Sequence, residues 1–345
     1  MLHVAGSAES FHMEESSNGH GPPVPQLPRL QPRNENGELR RVGVEIEFAG
    51  LDLDEICCRL REVIGGSIDR RSDYEAKIEA TSLGDVTVEL DAVAFRDQKV
   101  KDLLGQLHLE KLQAGLPEVV EAKLAQGARW LVPFEIAFAP VEIERLAEFD
   151  AVCAAFLKDA EGTRSSIWNA FGLHFNPELP RLDVQTILRY LRAFLCLYEE
   201  LKTAHDVDLS RRISPFIKPF EDDYARRVLD PAYTPDIGTF IDDYIEANPT
   251  RNRPLDLLPV LAWLDERRVV ERLPEEKIRK RPTFHYRLPD SRINELGWSI
   301  SHEWNIWMRV EDLAFNDAAL SALCLGRIDQ LTSSWAGLGN LIQPG

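Results

Sequence analysis

An alternating segment at residues 41–48, RVGVEIEF, constrains this chain more than any other feature. Apolar residues occupy every second position from Val42 to Phe48, and glycine or glutamate fills the positions between them. Because successive side chains of a strand point to opposite faces, this period predicts a strand with one apolar and one acidic face. Glu45 and Glu47 then share a face, about 6.5–7 Å apart. Such a pair is either a metal site or a solvated sheet surface.

Further strand and helix patterns surround this segment. Amphipathic helices are predicted at 53–64 and 142–158, and a long helix is expected to follow its N-cap, Asp183. The intermingled order, with a hairpin turning near 82–84, predicts an α+β domain with an antiparallel sheet and helices packed on one face. The further predicted strands are 74–78, 85–91, 130–138, 172–176 and 283–288.

The face opposite the helices would carry a polar set. Convergent glutamates with an imidazole suit Mg²⁺, which takes oxygen ligands and often bridges carboxylates to phosphates. Like charges on neighbouring strands repel, so acids on several strands favour a bound cation. An arginine on the same face can stabilise charge on a phosphoryl group in transfer. The set is Glu45, Glu47, Glu89, Asp91, Glu135, His174, Asn176, His285 and Arg287.

The strand motifs resemble those of a known superfamily. VGVEIEF is similar to the G-x-E-x-E strand of the glutamine synthetase and glutamate–cysteine ligase superfamily, and VTVELD, FGLHFNP and TFHYRL follow in the order of its amidoligase branch, over roughly 41–309. The resemblance implies a glutamine-synthetase-like curved antiparallel sheet, or half-barrel, with Mg²⁺ or Mn²⁺ between ATP and an amine. It also implies an ATP-dependent carboxylate–amine ligase that phosphorylates a carboxylate and lets an amine displace the phosphate.

The resemblance assigns roles to individual residues. We expect Arg287, the arginine of an E-F-R motif, and Glu89, the acid of the second motif, to be catalytic. Asn176 stands where many relatives have a second histidine, and His285 stands where they have glutamate, so the number of metal ions is open. His174 and Asn176 are also expected to contact the nucleotide. The expected metal ligands are Glu45, Glu47, Glu89 and His174, which match the family motifs, and Glu135, which the strand pattern places on the same face.

A short basic run, SRRISPFIK at 210–218, offers further contacts. Arg211, Arg212 and Lys218 are candidates for binding nucleotide phosphates, although such runs are usually solvated. A glycine-rich phosphate loop between a strand and a helix is absent from the sequence. A nucleotide would therefore bind by other means.

Composition and net charge disfavour nucleic-acid-binding, membrane-spanning and secreted proteins. The 345 residues are 44% hydrophobic, enough for a large core, and the formal net charge of −17 disfavours nucleic acid as a partner. No apolar run approaches the roughly 20 residues of a membrane span, no secretory signal is evident, and five scattered cysteines suit a reducing cytoplasm. We expect a cytoplasmic enzyme whose partners are a small-molecule or peptide carboxylate and an amine.

The chain is predicted to divide into three parts. Residues 1–38 read as a disordered tail rich in Pro, Gly and Ser, 39–315 as the catalytic domain, and 316–345 as a C-terminal helical extension. Two alternatives to the ligase remain open at this point. They are a phosphotransferase of the guanidino-kinase type and a nucleotide-binding scaffold that has lost catalysis.

Overall fold

One antiparallel sheet organises the part of the chain that the computed structural model describes, residues 23–90, 133–166, 169–276 and 278–339. The strand order is β2-β3-β4-β5-β1-β7-β9-β8, with β6 paired to the start of β1, and the sheet does not close. All pairings within these residues are antiparallel, as predicted. The strands are β1 (Arg41–Phe48), β2 (Ser67–Arg70), β3 (Glu75–Thr81), β4 (Gly84–Leu90), β5 (Phe134–Phe138), β6 (Val141–Glu142), β7 (Leu173–Pro177), β8 (Leu255–Asp256) and β9 (His285–Tyr286).

Ten α-helices accompany the sheet within the described residues. The first begins with a capping box, in which the Asp52 side chain accepts from the backbone N–H of Glu55 and the Glu55 side chain accepts from that of Asp52. The helices are α1 (Leu53–Ile64), α2 (Phe149–Phe156), α3 (Val184–Ala204), α4 (Leu209–Arg212), α5 (Asp222–Leu229), α6 (Ile237–Ala247), α7 (Leu258–Leu264), α8 (Glu266–Arg272), α9 (Ile300–Ala314) and α10 (Asp317–Gly339).

The apolar sheet face forms the core. Phe48 of β1 packs on Phe156 of α2, with ring centroids 5.2 Å apart. On the next strand, Phe175 packs on Trp304 of α9 at 5.6 Å. Burying side chains of this size contributes about 1.5–3 kcal/mol each, so these contacts fix the face on which the helices lie.

The polar face of the central strands is buried as well. Glu45 is 9% exposed, Glu47 7% and His174 2%. Isolated charges are expensive to bury unless they are paired or bind a cation. A freely solvated surface therefore does not describe this part of the sheet.

Most predicted elements are confirmed, and two change. The strand at 41–48, the helix at 53–64, the hairpin, β7 and the helix after Asp183 all form. The predicted helix at 142–158 is wrong at its start, because Glu142 pairs with Arg41 in the sheet and a 3₁₀ helix, Ile143–Glu148, precedes α2. The last predicted strand, 283–288, shortens to two residues, because before it Thr283 makes only an isolated bridge to Glu178 and after it the chain reaches Pro289, which has no N–H to donate.

Some predictions fall at or beyond the edges of the described chain. Residues 1–22, 130–132 and Asp91 lie outside the described residues. Within the segment predicted as a tail, Val24 and Gln26 accept hydrogen bonds from the side chains of Asn305 and Trp304. The described chain contains no helix that is both long and apolar enough to cross a membrane.

Candidate functional site

Glu45 is the centre of a buried polar cluster. Its Oε1 accepts a hydrogen bond from Asn176 Nδ2 at 2.9 Å and lies 3.4 Å from a guanidinium nitrogen of Arg281. Its Oε2 faces two imidazole nitrogens, Nδ1 of His174 at 3.3 Å and Nε2 of His285 at 3.2 Å. The carboxylate is thus held by one oxygen and presents the other to two histidines.

His174 reaches this position through strand register. It lies directly opposite Glu45 across the β1–β7 pair, while Gly172 lies beside Glu47, and the N–H of Gly172 donates to Glu47 Oε2 at 2.6 Å. The other oxygen of Glu47 lies 3.5 Å from His174 Nε2. Burial lowers the pKa of His174 to about 4, although Glu47 and Glu45 act in the opposite direction. The ring is therefore neutral near pH 7 and can offer a lone pair.

His285 comes from the short strand β9 at the far side of β7. Its neighbour in the β8–β9 pair is Asp256, which is fully buried. The Oδ1 atom of Asp256 accepts from the N–H of Leu258 at 2.9 Å, and Oδ2 lies 3.6 Å from His285 Nδ1. Burial opposes the ionisation of Glu45, but His285, Arg281 and His174 outweigh it and hold the pKa of Glu45 well below its ordinary range.

Two arginines border the cluster. Arg281 approaches Glu45, and its Nε is buried without a hydrogen-bond partner in the described chain. Arg287 is 8% exposed, its NH1 donates to the backbone oxygen of Arg251, and its Nε likewise has no described partner. Guanidinium nitrogens without partners beside a carboxylate cluster suit a ligand that carries negative charge.

The ligand atoms are close enough together to hold one cation. Among the described residues, Glu45, His174 and His285 form the group in which three such atoms lie within 4.8 Å of one another. Metal bonds of about 2.1 Å place adjacent ligand atoms roughly 3–3.5 Å apart, close to the two separations measured from Glu45 Oε2. The donor set therefore fits a divalent cation.

Comparison with known proteins gives one family. Residues 38–309 match the model of the family described as "putative amidoligase enzyme", which is most of the chain. The chain belongs to that family. No curated protein and no solved structure matches this amidoligase-family chain significantly.

The other acids expected in the amidoligase site form a row beside the cluster. Glu135 of β5 lies opposite Glu47 on one side and Glu89 on the other, and Glu75 lies opposite Glu89. Glu89 also pairs with Arg279 at 3.5 Å. The structure brings the predicted residues Glu89 and Glu135 onto neighbouring strands, but not into the three-residue group around Glu45.

Two arginines of the basic run contact backbone oxygens in this structure, and their expected role in nucleotide binding stays a prediction. Arg211 is fully buried, and its guanidinium donates to the backbone oxygens of Ala170, Arg287 and Pro289, so in this structure it supports the loops behind the site. Arg212 donates to the backbone oxygen of Val207.

Lys218, the last member of the run, is exposed. It pairs with Glu221, three residues further along the chain, at 2.8 Å. Its expected role in nucleotide binding stays a prediction.

Sequence reasoning did not select Arg281 or Asp256. Arg281 follows two other basic residues in a segment that has no periodic pattern, and Asp256 lies in a strand of two residues. The first signal available for Arg281 is the basic triplet at 279–281, and for Asp256 it is an acid placed among apolar residues (PLDLLPV). His285 was placed on the correct face but was not selected as a ligand.

Proposed function

We propose that this amidoligase-family protein is an ATP-dependent carboxylate–amine ligase. The observation that carries the proposal is the buried Glu45–His174–His285 cluster with Arg281 and Arg287 at its border. It combines a donor set that fits a cation with fixed positive charge, which is what transfer of a phosphoryl group to a carboxylate requires. The family membership supports an amide as the bond formed.

The proposed reaction has two steps. A carboxylate oxygen of the first substrate attacks the γ-phosphorus of ATP, and ADP leaves. The amine nitrogen then attacks the acyl carbon, inorganic phosphate leaves, and the nitrogen gives up a proton. Glu89, on the same sheet face, is the proposed acceptor of that proton. A divalent cation would neutralise charge on the phosphates.

The residues of this chain provide position and charge. Asn176 orients Glu45 so that one carboxylate oxygen faces both histidines. Arg287 and Arg281 would stabilise negative charge on the phosphoryl group as it passes between substrates. Because the surrounding side chains are buried, these interactions act at a lower effective dielectric than in water.

Two broader parts of the proposal follow from the same resemblance. We assign the open antiparallel sheet to the glutamine-synthetase-like half-barrel class, with ATP and Mg²⁺ or Mn²⁺ as its cofactors. All five cysteines are free thiols, which suits the proposed cytoplasmic location.

The test is turnover by the full-length chain. Phosphate release from ATP would be measured with Mg²⁺ or Mn²⁺ and a panel of carboxylates, including glutamate and glutamyl peptides, with ammonia or amino acids as amines. We expect release that needs both a carboxylate and an amine, with an amide product detected by mass spectrometry. Glu45→Gln should lose this activity, whereas Glu79→Gln, an exposed substitution on the same sheet, should retain it.

Other outcomes separate the alternatives. A phosphorylated amine without amide would indicate a phosphotransferase. Nucleotide binding without turnover across the panel would indicate a scaffold, and either result contradicts the ligase proposal.

A further inference from the structure

Each imidazole of the cluster has a second carboxylate behind it. Glu47 Oε1 lies 3.5 Å from His174 Nε2, and Asp256 Oδ2 lies 3.6 Å from His285 Nδ1. The two remaining ring nitrogens face one oxygen, Glu45 Oε2. A carboxylate behind a histidine is the arrangement that fixes the ring and the tautomer of a metal-binding imidazole.

We propose that this cluster binds a first-row transition divalent cation in preference to Mg²⁺, and that Asp256 is the positioning residue that keeps the Nε2 lone pair of His285 on that cation. This inference rests on the proposed function, because it names the cation class of the same site. Two of the three ligand atoms in the cluster are imidazole nitrogens. Imidazole suits cations such as Co²⁺ and Zn²⁺, whereas Mg²⁺ takes oxygen ligands.

Asp256 and His285 each have one buried polar atom that lacks a hydrogen-bond partner in the described chain. Asp256 is fully buried and His285 is 3% exposed. Asp256 Oδ2 and His285 Nδ1 each have no hydrogen-bond partner among the described residues, and they face each other across paired strands. Donation from Nδ1–H to Oδ2 satisfies both atoms after a small approach. It also leaves Nε2, on the Glu45 side, without a proton and available as a ligand.

The backbone of Leu258 makes the role of Asp256 testable. Its N–H donates to Asp256 Oδ1, so an asparagine at 256 would keep its carbonyl oxygen in that place. The amide Nδ2 would then replace Oδ2 and donate to His285 Nδ1. The proton of His285 would have to move to Nε2, which removes the lone pair from the cation. Asp256→Asn therefore changes the tautomer with little change in shape.

The first experiment measures selectivity rather than affinity. Transition ions bind most sites of nitrogen and oxygen ligands more tightly than Mg²⁺ does, so the informative quantity is the ratio of Co²⁺ to Mg²⁺ affinity in wild type and in His285→Glu. Both ions would be titrated calorimetrically into the full-length protein without nucleotide. We expect the ratio to fall by roughly tenfold or more in His285→Glu, and the visible absorption of bound Co²⁺ to change. An unchanged or higher ratio, or no Co²⁺ binding to wild type, overturns the proposal.

The second experiment reads the tautomer. Nitrogen NMR of histidine-labelled protein with Zn²⁺ should show the proton of His285 on Nδ1 in wild type and on Nε2 in Asp256→Asn, with Zn²⁺ affinity reduced roughly 10–100-fold. His205, held between Glu303 and Tyr286, is an internal reference that should not change. Unchanged tautomer and affinity in a folded Asp256→Asn variant overturn the role of Asp256.

Controls keep the two experiments interpretable. Asp290→Asn changes another buried aspartate, one that accepts from the backbone of Asp208 and faces no histidine ring in the described part of the chain, and it should leave the tautomer and the affinity as in wild type. If Asp256→Asn does not fold, the selectivity ratio of His285→Glu still decides the cation preference, and the tautomer of His285 in wild type still decides the role of Asp256, because a proton on Nε2 overturns it.

This inference and the ligase can fail separately. Cation selectivity without any amide product sinks the ligase alone, and amide synthesis with an unchanged selectivity ratio sinks the inference alone.

Discussion

The Nε2 atom of His285 lies 3.2 Å from the Oε2 atom of Glu45, although the two residues are 240 positions apart. Strand β7 lies between their strands, so the side chains meet across two strand spacings of about 4.8 Å each. His174, on the middle strand, lies between the two residues and contacts the same oxygen of Glu45. The cluster therefore depends on the order of strands in the sheet more than on any local motif.

Glu45→Gln should remove cation-dependent stabilisation. A cation that binds only the folded state at about 100 times its Kd adds about 2.7 kcal/mol to the free energy of unfolding. Thermal unfolding with and without Co²⁺ should show this gain in wild type and lose most of it in the variant. Equal Co²⁺-dependent shifts of the unfolding temperature in both proteins would show that the cation binds elsewhere. Glu79→Gln is the control and should behave as wild type.

Gly172→Ala should disturb His174 directly. An added Cβ would collide with His174 Nε2, lie 2.8 Å from its Cδ2 and 3.0 Å from a guanidinium nitrogen of Arg211. Overpacking of this kind costs about 1–3 kcal/mol, and the displaced ring should also weaken cation binding. Chemical denaturation and cation titration measure the two effects.

Gly326→Ala is the matched control, since in the described chain the added Cβ in α10 would meet nothing within 4 Å apart from its chain neighbours and the backbone of its own helix. This change should stabilise the protein by about 0.5–1 kcal/mol through helix propensity and leave cation binding as it was. A Gly172→Ala protein as stable as wild type would contradict the close contact.

Glu311→Gln should be strongly destabilising. Glu311 pairs with Arg40 at 2.7 Å, both side chains are 2% exposed, and Tyr190 and Trp307 also donate to the carboxylate. Removing one partner of a buried pair leaves an uncompensated charge, at a cost of about 3–5 kcal/mol. The free energy of unfolding from urea titration measures this loss.

Glu200→Gln provides the comparison. Glu200 pairs with Arg309 on the surface, where the two side chains are 56% and 43% exposed. Its loss should cost no more than about 1 kcal/mol, because solvent screens the pair. Similar losses of unfolding free energy in the two variants would show that burial does not determine how much the Arg40–Glu311 pair contributes to stability.

Asp290 should make stability depend on pH. Burial raises its pKa to about 6 from 3.8, although Arg211 acts in the opposite direction. The folded state therefore holds this proton more tightly than the unfolded state, and the contribution of Asp290 is greatest below pH 3.8 and is lost as pH rises through 6. Between pH 3.8 and pH 6 the contribution of Asp290 to the free energy of unfolding falls by about 3 kcal/mol.

Asp290→Asn removes this titration. The stability of the variant relative to wild type should therefore rise between pH 4 and pH 7, as measured by urea unfolding at several pH values. A difference that stays constant over this range would contradict the raised pKa.

Alternation was enough to predict the site strands and their polar face. Glu45, Glu47, His174 and His285 all lie on the face that period-two patterning assigned to them. Their burial was not predictable in the same way, because it depends on contacts between residues far apart in the chain. Arg281, which lies 3.4 Å from Glu45, makes one such contact.

The pattern of apolar and polar residues did not predict the short and irregular elements. Strand β8 has two residues, too few to show a period, so the pairing of Asp256 with His285 could not be inferred. The 3₁₀ helix at Ile143–Glu148 has the composition of the α-helix predicted there. It directly follows Glu142, which pairs with β1, so the α-helix begins only at Phe149.

The assembly of the cluster from β1, β7 and β9 has a consequence for synthesis. Glu45 emerges early from the ribosome and His285 late, and closing so long a loop is entropically costly until the intervening strand is in place. A nascent chain that ends before His285 lacks one ligand of the site. We therefore expect cation capture to report that β1, β7 and β9 have come together, so that a chain ending before β9 remains unloaded.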